Sequence, residues 1–203
     1  TSHQEFIKVF GANASKIIGH VEKKEESRIK RSYDAQLNEA AIKGLKDKWG
    51  LKMSIPKGYN LVSETEEFSW IRYETKDISQ NVLVYSVPYT EENTFSEEGM
   101  VTVVDQLCRL AVPGPSEGTF MSLYPDYPPR YEKVSLSGKF AGKLTGLWNV
   151  EGALMGGPYV SYAFLDASEE RVYYLQGFVF SPGKKKRNYV RQIDAILRSA
   201  ELR

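Results

Sequence analysis

Tyr159-Val160-Ser161-Tyr162-Ala163-Phe164-Leu165, then Asp166-Ala167-Ser168, then Arg171-Val172-Tyr173-Tyr174-Leu175-Gln176-Gly177-Phe178-Val179-Phe180 is the stretch that decides the fold. Two runs rich in aromatic and β-branched residues flank a short polar turn, the pattern of paired strands. A connection this short joins antiparallel neighbours.

The same pattern extends on the N-terminal side. Tyr131 to Leu136 and Ala141 to Val150 read as strands, with Gly138 at the turn between them. Gly156-Gly157-Pro158 reads as the turn before Tyr159, or as a close backbone approach between strands. Further upstream, Tyr59 to Val62, Phe68 to Tyr73 and Val82 to Val87 add three strands. Leu51 to Ile55 alternates apolar and polar residues as a half-buried strand does, and Pro56-Lys57-Gly58 is a turn.

Between these two groups of strands, Thr94 or Ser96 is placed to cap a helix that runs to about Ala111. Met100, Val104, Leu107 and Ala111 form its apolar stripe, and Pro113-Gly114-Pro115 ends it. A final helix runs from about Arg187 to Ala200, with Tyr189, Ile193, Ile196, Leu197 and Ala200 on one face.

Residues 1–50 read as a helical arm. Phe6, Phe10, Ile17 and Val21 lie near one face. A second segment steps by four through Ile29, Tyr33, Leu37, Ala41 and Leu45, and Gly50 is placed to stop it. The stretch from Glu22 to Arg31 is dense in charge. The expected fold class is α+β, with a mostly antiparallel sheet flanked by helices over residues 51–203.

The chain has 203 residues, 41% of them hydrophobic and 12% aromatic, enough to fill a core. The net charge is +1, so no global field draws in nucleic acid or an anionic membrane. The basic run Lys184-Lys185-Lys186-Arg187 opposes the dipole of the helix that follows. It reads as a solvated turn or as a contact for phosphate or a partner. No apolar stretch is long enough to span a bilayer.

Catalytic and metal-binding patterns are sparse. Cys108 is the single cysteine and reads as a small apolar core residue. His3 and His20 stand seventeen residues apart in the arm, without ligand neighbours at metal spacing. No metal or cofactor is expected. The acidic pairs Glu66-Glu67, Glu91-Glu92, Glu97-Glu98 and Glu169-Glu170 fall at loops or helix starts and read as solubility charge. Glu151, at a strand end, is either a pocket acid or the salt-bridge partner of a nearby arginine. Residues 113–130 read as a long loop carrying Phe120, Tyr124 and Tyr127, with Tyr131 just beyond. It either contacts a partner or folds over its own core.

Four motifs carry a resemblance: Pro113-Gly114-Pro115-Ser116-Glu117-Gly118, Gly146-Leu147-Trp148-Asn149-Val150-Glu151-Gly152, Met155-Gly156-Gly157-Pro158-Tyr159-Val160-Ser161 and Arg187-Asn188-Tyr189-Val190-Arg191-Gln192. Together they resemble an uncharacterised family of Bacteroidetes lipoproteins with a domain of unknown function, across essentially the whole chain. The resemblance implies export to the cell envelope and a lipid anchor on an N-terminal cysteine, and it implies no activity. Such relatives carry a signal peptide, the lipidated cysteine and a further N-terminal region. The start at Thr1 is accordingly read as that of a processed fragment. The order of strands and helices from Ile55 onward is also similar to PsbP-like domains, which mostly bind proteins.

Three functional readings follow. The first is a non-catalytic envelope protein that binds a protein or a small ligand, through Tyr124, Tyr127, Trp148, Glu151, Gly156, Gly157 and Tyr159. The second is a hydrolase or transferase on an envelope substrate, with Glu151 as acid or base and Arg130 or Arg72 holding an anion. The third is an assembly subunit that docks through the helical arm. The sequence does not specify an oligomeric state.

Overall fold

The computed structural model describes residues 2–34, 36–90 and 92–202. Of the acidic pairs, Glu91 lies outside the described residues.

The elements in chain order are α1 (His3–Asp34), α2 (Glu39–Trp49), β1 (Leu51–Lys52), β2 (Asn60–Glu64), β3 (Phe68–Glu74), β4 (Ser79–Pro88), a 3-10 turn (Glu92–Phe95), α3 (Glu97–Ala111), β5 (Phe120–Leu123), β6 (Arg130–Leu136), β7 (Lys139–Glu151), β8 (Ala153–Asp166), β9 (Arg171–Phe180), α4 (Arg187–Arg198) and β10 (Glu201–Leu202). The main sheet has the order β2-β3-β4-β9-β8-β7-β5, and β6 also pairs with β7. Its pairings are antiparallel throughout. The fold is therefore the expected α+β antiparallel sheet flanked by helices.

The central strands β4, β8 and β9 are buried on both faces, which explains their near-continuous apolar runs. Alternate residues feed two separate cores. Val82, Val84, Val160, Tyr162, Leu175 and Val179 face α2 and α4. Leu83, Tyr85, Tyr159, Ala163, Tyr174 and Phe178 face α3. A complete burial of a large aliphatic side chain contributes about 1.5–3 kcal/mol. Ile193, Ile196 and Leu197 of α4 each reach it.

Two glycines set where the helices sit. A Cβ on Gly177 of β9 would lie 1.9 Å from Ile193 Cγ2, so α4 packs directly over bare backbone. A Cβ on Gly142 of β7 would lie 2.2 Å from Met100 Sδ, which places α3 on the opposite face.

The helix ends follow from local chemistry. Asn38 caps α2 by accepting the Ala41 N–H, and Gly50 ends it in the left-handed conformation with φ 63°. Ser96, rather than Thr94, caps α3 by accepting the Gly99 N–H. Cys108 joins Met100, Val104 and Ala111 in the buried stripe of α3, while Leu107 is only partly buried.

Several expectations are corrected. The four-residue step from Ile29 to Leu45 does not run along one helix. α1 ends at Asp34, and Leu37 forms a bridge with Pro56 instead. Gly156-Gly157-Pro158 is not a turn. It lies inside β8, and the hairpin turns at Gly152, with φ 85°. The loop over residues 113–130 contains β5, whose partner strand β7 supplies its hydrogen bonds. Only Leu51–Lys52 of the first strand is paired, and its partner is the C-terminal β10.

The helical arm divides into two parts. Leu45 and Trp49 of α2 are buried in the core. Trp49 Nε1–H donates to Ser69 Oγ at 2.8 Å, and Tyr173 O–H donates to the Trp49 carbonyl at 2.9 Å. α1 meets the domain through its C-terminal half, where Tyr33 packs on the core and Glu25 pairs with Arg191. Toward its N-terminus Phe6, Ile7, Val9, Phe10, Ile17, Ile18 and Val21 are exposed.

Candidate functional site

The residues singled out from the sequence gather at one end of the sheet, on β7, β8 and the connection from β5 to β6. β5 pairs with Trp148 to Glu151 of β7, and β6 pairs with Lys139 to Thr145. Between these pairings, Tyr124 to Pro129 leaves the sheet and passes the Gly146–Leu147 step. The Tyr124 N–H donates to the Leu147 carbonyl at 2.8 Å, and the Tyr127 N–H donates to the Tyr124 carbonyl at 3.3 Å. Their rings lie 5.7 Å apart, and Tyr127 is 60% exposed.

Trp148 and Tyr159 stand in the interior. Trp148 is opposite Gly157 in the register, and Asn149 is opposite Gly156. Trp148 packs edge-on to Phe178 at 5.4 Å. A Cβ on Gly157 would lie 2.1 Å from the Val179 carbonyl oxygen and 3.1 Å from Trp148 Nε1, so this glycine serves a close approach. Tyr159 lies across Gly146, whose absent Cβ would be 2.9 Å from its ring. Both large side chains are buried, at 3% and 2% exposure, and so offer no outer contact surface.

Glu151 is half-exposed and ion-paired. Arg109 of α3 reaches it at 2.6 Å and Asp105 at 2.7 Å, and lies over the Phe120 ring at 5.1 Å. The two carboxylates hold the Arg109 guanidinium above its ordinary pKa. Asp105 also accepts the Leu123 N–H at 2.7 Å. The group therefore latches α3 onto β5 and the end of β7.

Glu151, Arg130 and Arg72 do not converge. Arg130 pairs with Glu132 and Arg72 with Glu74, each at 3.0 Å on its own strand. β3 and β7 are separated by β4, β9 and β8, about 19 Å across the sheet at the usual strand spacing. These three side chains form no common pocket. Among the described residues, no group of three His, Cys, Asp or Glu is placed to hold a metal ion.

The face beneath α3 holds a feature that sequence reasoning missed. The Tyr159 and Tyr174 hydroxyls and Gln176 Oε1 are buried without a protein hydrogen bond, beside the Tyr85 and Ser161 hydroxyls, which lie against each other. They are neighbours. Tyr85 opposes Tyr174 with rings stacked at 5.3 Å, and Ser161 opposes Gln176. Gln176 Nε2–H donates to Cys108 Sγ at 3.0 Å, which ties the cluster to α3. Burial pushes the Cys108 thiol up to about 12. Burial raises Tyr85 well above its ordinary value, reinforced by Cys108 and Tyr174. Hydrogen bonding with the Ser161 hydroxyl opposes this. The visible sequence signal was Ser161 and Gln176, polar residues inside apolar strand runs.

On the other face, α1, α4 and β7 enclose a cleft of about 170 Å³ lined by Glu25, Ile29, Lys143, Arg191, Asp194 and Arg198. Tyr162 O–H donates to Asp194 at 2.6 Å, and Lys143 lies 3.4 Å from the same carboxylate. Of the basic run, Lys184 pairs with Asp77 at 3.2 Å, and Lys186 donates to the Lys184 carbonyl.

The fold and site define an α+β antiparallel-sheet domain with an exposed aromatic edge and a buried polar face. The chain belongs to the DUF4837 family, a domain of unknown function, whose model matches residues 38–199. No curated protein matches the chain in sequence. Among solved structures, the Saccharomyces cerevisiae Ran-binding protein Mog1p is similar at 10% identity and TM-score 0.47, covering 75% of this chain and 90% of that one. A STAR-related lipid transfer protein from Xanthomonas axonopodis is similar at 12% identity and TM-score 0.39, covering 70% and 96%. LpqN of Mycobacterium tuberculosis, involved in cell envelope biogenesis, is similar at 14% identity and TM-score 0.40, covering 74% and 81%. Likeness at these values concerns the general course of the chain.

Proposed function

We propose that this domain is a non-catalytic binding module of the cell envelope that engages a partner protein through the sheet edge at Tyr124, Tyr127 and Leu147. The observation that carries the reading is the Tyr124–Tyr127 ring pair, with Tyr127 exposed and Tyr124 half-buried, anchored by the Tyr124 N–H to the Leu147 carbonyl of a paired strand. Large aromatics on a rigid base lose little entropy on binding and dominate the energetics of interfaces. Leu147 is 37% exposed and extends the same edge. The four motifs that resemble Bacteroidetes lipoproteins support the envelope location.

The test is crosslinking in native cells, followed by capture and mass spectrometry, with Tyr124→Ala/Tyr127→Ala as the control. A partner recovered with the native loop and lost in the control supports the reading. No specific partner, or equal capture by both, overturns it and leaves a small ligand as the alternative. Fractionation of the same cells tests the envelope location separately.

A second reading, an assembly subunit, is favoured by the exposed apolar residues of α1, where Phe6 is 61% and Phe10 is 51% exposed. It predicts self-association that Phe6→Ser/Phe10→Ser abolishes in sedimentation. A strict monomer overturns it.

A further inference from the structure

We propose that the cleft between α4 and β7 is a binding site for a small oxyanion, a carboxylate or a phosphate group, and that the Glu25 carboxylate of α1 is its occupant in cis. The inference is independent of the partner surface at Tyr124 and rests on other residues.

The floor of the cleft is fixed and cationic. Arg191, Asp194, Ala195 and Arg198 share one face of α4 at helical spacing, and Lys143 joins them from β7. Asp194 accepts the Tyr162 O–H at 2.6 Å and lies 3.4 Å from Lys143. Lys143 in turn lies over the Tyr162 ring at 5.3 Å, with its side chain only 16% exposed. The Asp194 charge is thereby met inside the floor itself. Ala195 adds only a methyl group to the lining, and the open space of about 170 Å³ would hold a group of several heavy atoms.

The class of ligand is read from the group already seated there. Arg191 Nη1 pairs with the Glu25 carboxylate, 166 residues away in the chain. A guanidinium offers a planar fork of donors that suits carboxylate and phosphate oxygens alike. Glu25 belongs to α1, whereas the family model begins at residue 38. The floor is thus part of the family domain, and the carboxylate on it comes from a helix that precedes the domain. Lys143, Arg191 and Arg198 against Glu25 and Asp194 leave the lining at +1, and without Glu25 it stands at +2. A second cation would be repelled there, and an apolar guest would meet little besides Ile29 and Ala195.

Glu25 is a replaceable occupant. α1 meets the domain through Glu25, Ile29 and Tyr33, while Phe6 to Val21 point away from it. The Arg191 and Glu25 side chains are each about a third exposed, so solvent screens the pair. A free oxyanion and Glu25 then compete for one guanidinium.

The whole chain is titrated calorimetrically with inorganic phosphate and, separately, with succinate, each against sodium chloride at the same ionic strength. Glu25→Ala frees Arg191 and is expected to bind at least one of the two probes about tenfold more tightly than the native chain, a common size for coupling between competing groups. The probe that gains tells whether the site takes a carboxylate or a phosphate group. Arg191→Gln is expected to bind neither. No gain in Glu25→Ala, undiminished binding in Arg191→Gln, or heats that chloride reproduces each overturn the site. Hydrogen exchange of the native chain gives a second readout. Saturating probe is expected to speed amide exchange from Ile29 to Tyr33 about tenfold, because ligand and Glu25 exclude each other. Unchanged exchange overturns the role of Glu25 as occupant.

Discussion

Arg109 of α3 and Glu151 at the end of β7 meet at 2.6 Å, so that a helix on one face of the sheet is fastened by charge to the strand that supports it. Both side chains are about two-fifths exposed, which screens the pair. Glu151→Gln is expected to destabilise the fold by less than about 1 kcal/mol. In urea unfolding the difference from the native protein should shrink in concentrated salt. A loss of several kcal/mol would show that Glu151 has a role beyond the latch.

Gly157 behaves differently, because its neighbour is backbone. A Cβ there would meet the Val179 carbonyl oxygen at 2.1 Å, and a carbonyl in a paired strand has no rotamer to yield. Gly157→Ala is expected to cost about 1–3 kcal/mol or more by strand displacement. Gly156→Ala brings its Cβ to 2.7 Å from the Trp148 carbonyl and should act in the same direction. Chemical denaturation of both variants checks this.

The domain boundary is testable by truncation. A chain that starts at Gln36 keeps α2 and its buried Leu45 and Trp49, and is expected to unfold cooperatively. A chain that starts at Leu51 loses both. Large buried side chains contribute about 2–5 kcal/mol each by truncation, so this shorter chain should not fold stably. Circular dichroism melts of the two chains decide the matter.

Stability should fall in alkali. Burial raises Cys108 from 9.0 to about 12, and it raises Tyr59, Tyr85, Tyr159 and Tyr174 above their ordinary value of 10.0. These groups are held protonated in the folded protein. As pH rises above about 9, the unfolded chain releases its protons first, so it binds fewer than the native state and the slope of stability with pH is negative. The contribution is intact below pH 9 and is lost progressively from there to about 12. Tm measured across this range should decline, beginning near pH 9, and Cys108→Ala should delay the onset toward pH 10.

Some of this architecture could be read directly along the chain. β3, β4, β9 and α4 follow from residue spacing, because a period of two or of 3.6 is a property of neighbours in sequence. The Ser96 cap and the Gly50 stop are equally local, each using a side chain or backbone freedom within one turn. Tyr124, Tyr127, Trp148, Glu151, Gly156, Gly157 and Tyr159 could be chosen because aromatic, acidic and glycine residues stand out in their runs. Their gathering at one end of the sheet depends on the register of β5, β7 and β8.

What only the tertiary structure decided is whatever depends on a partner distant in sequence. Phe120–Leu123 is a strand because β7 offers it hydrogen bonds, although its own setting is rich in proline and glycine. Gly156 and Gly157 continue β8 because the facing strands approach closely there, which no local rule distinguishes from a turn. Leu37 leaves the helical step because it bridges to Pro56. The polar face under α3 joins Tyr85, Cys108, Ser161 and Gln176 from four separate elements. The sequence by itself determined the periods, the caps and the class of fold. The pairing of distant strands determined which side chains meet, because hydrogen bonding and burial act across space.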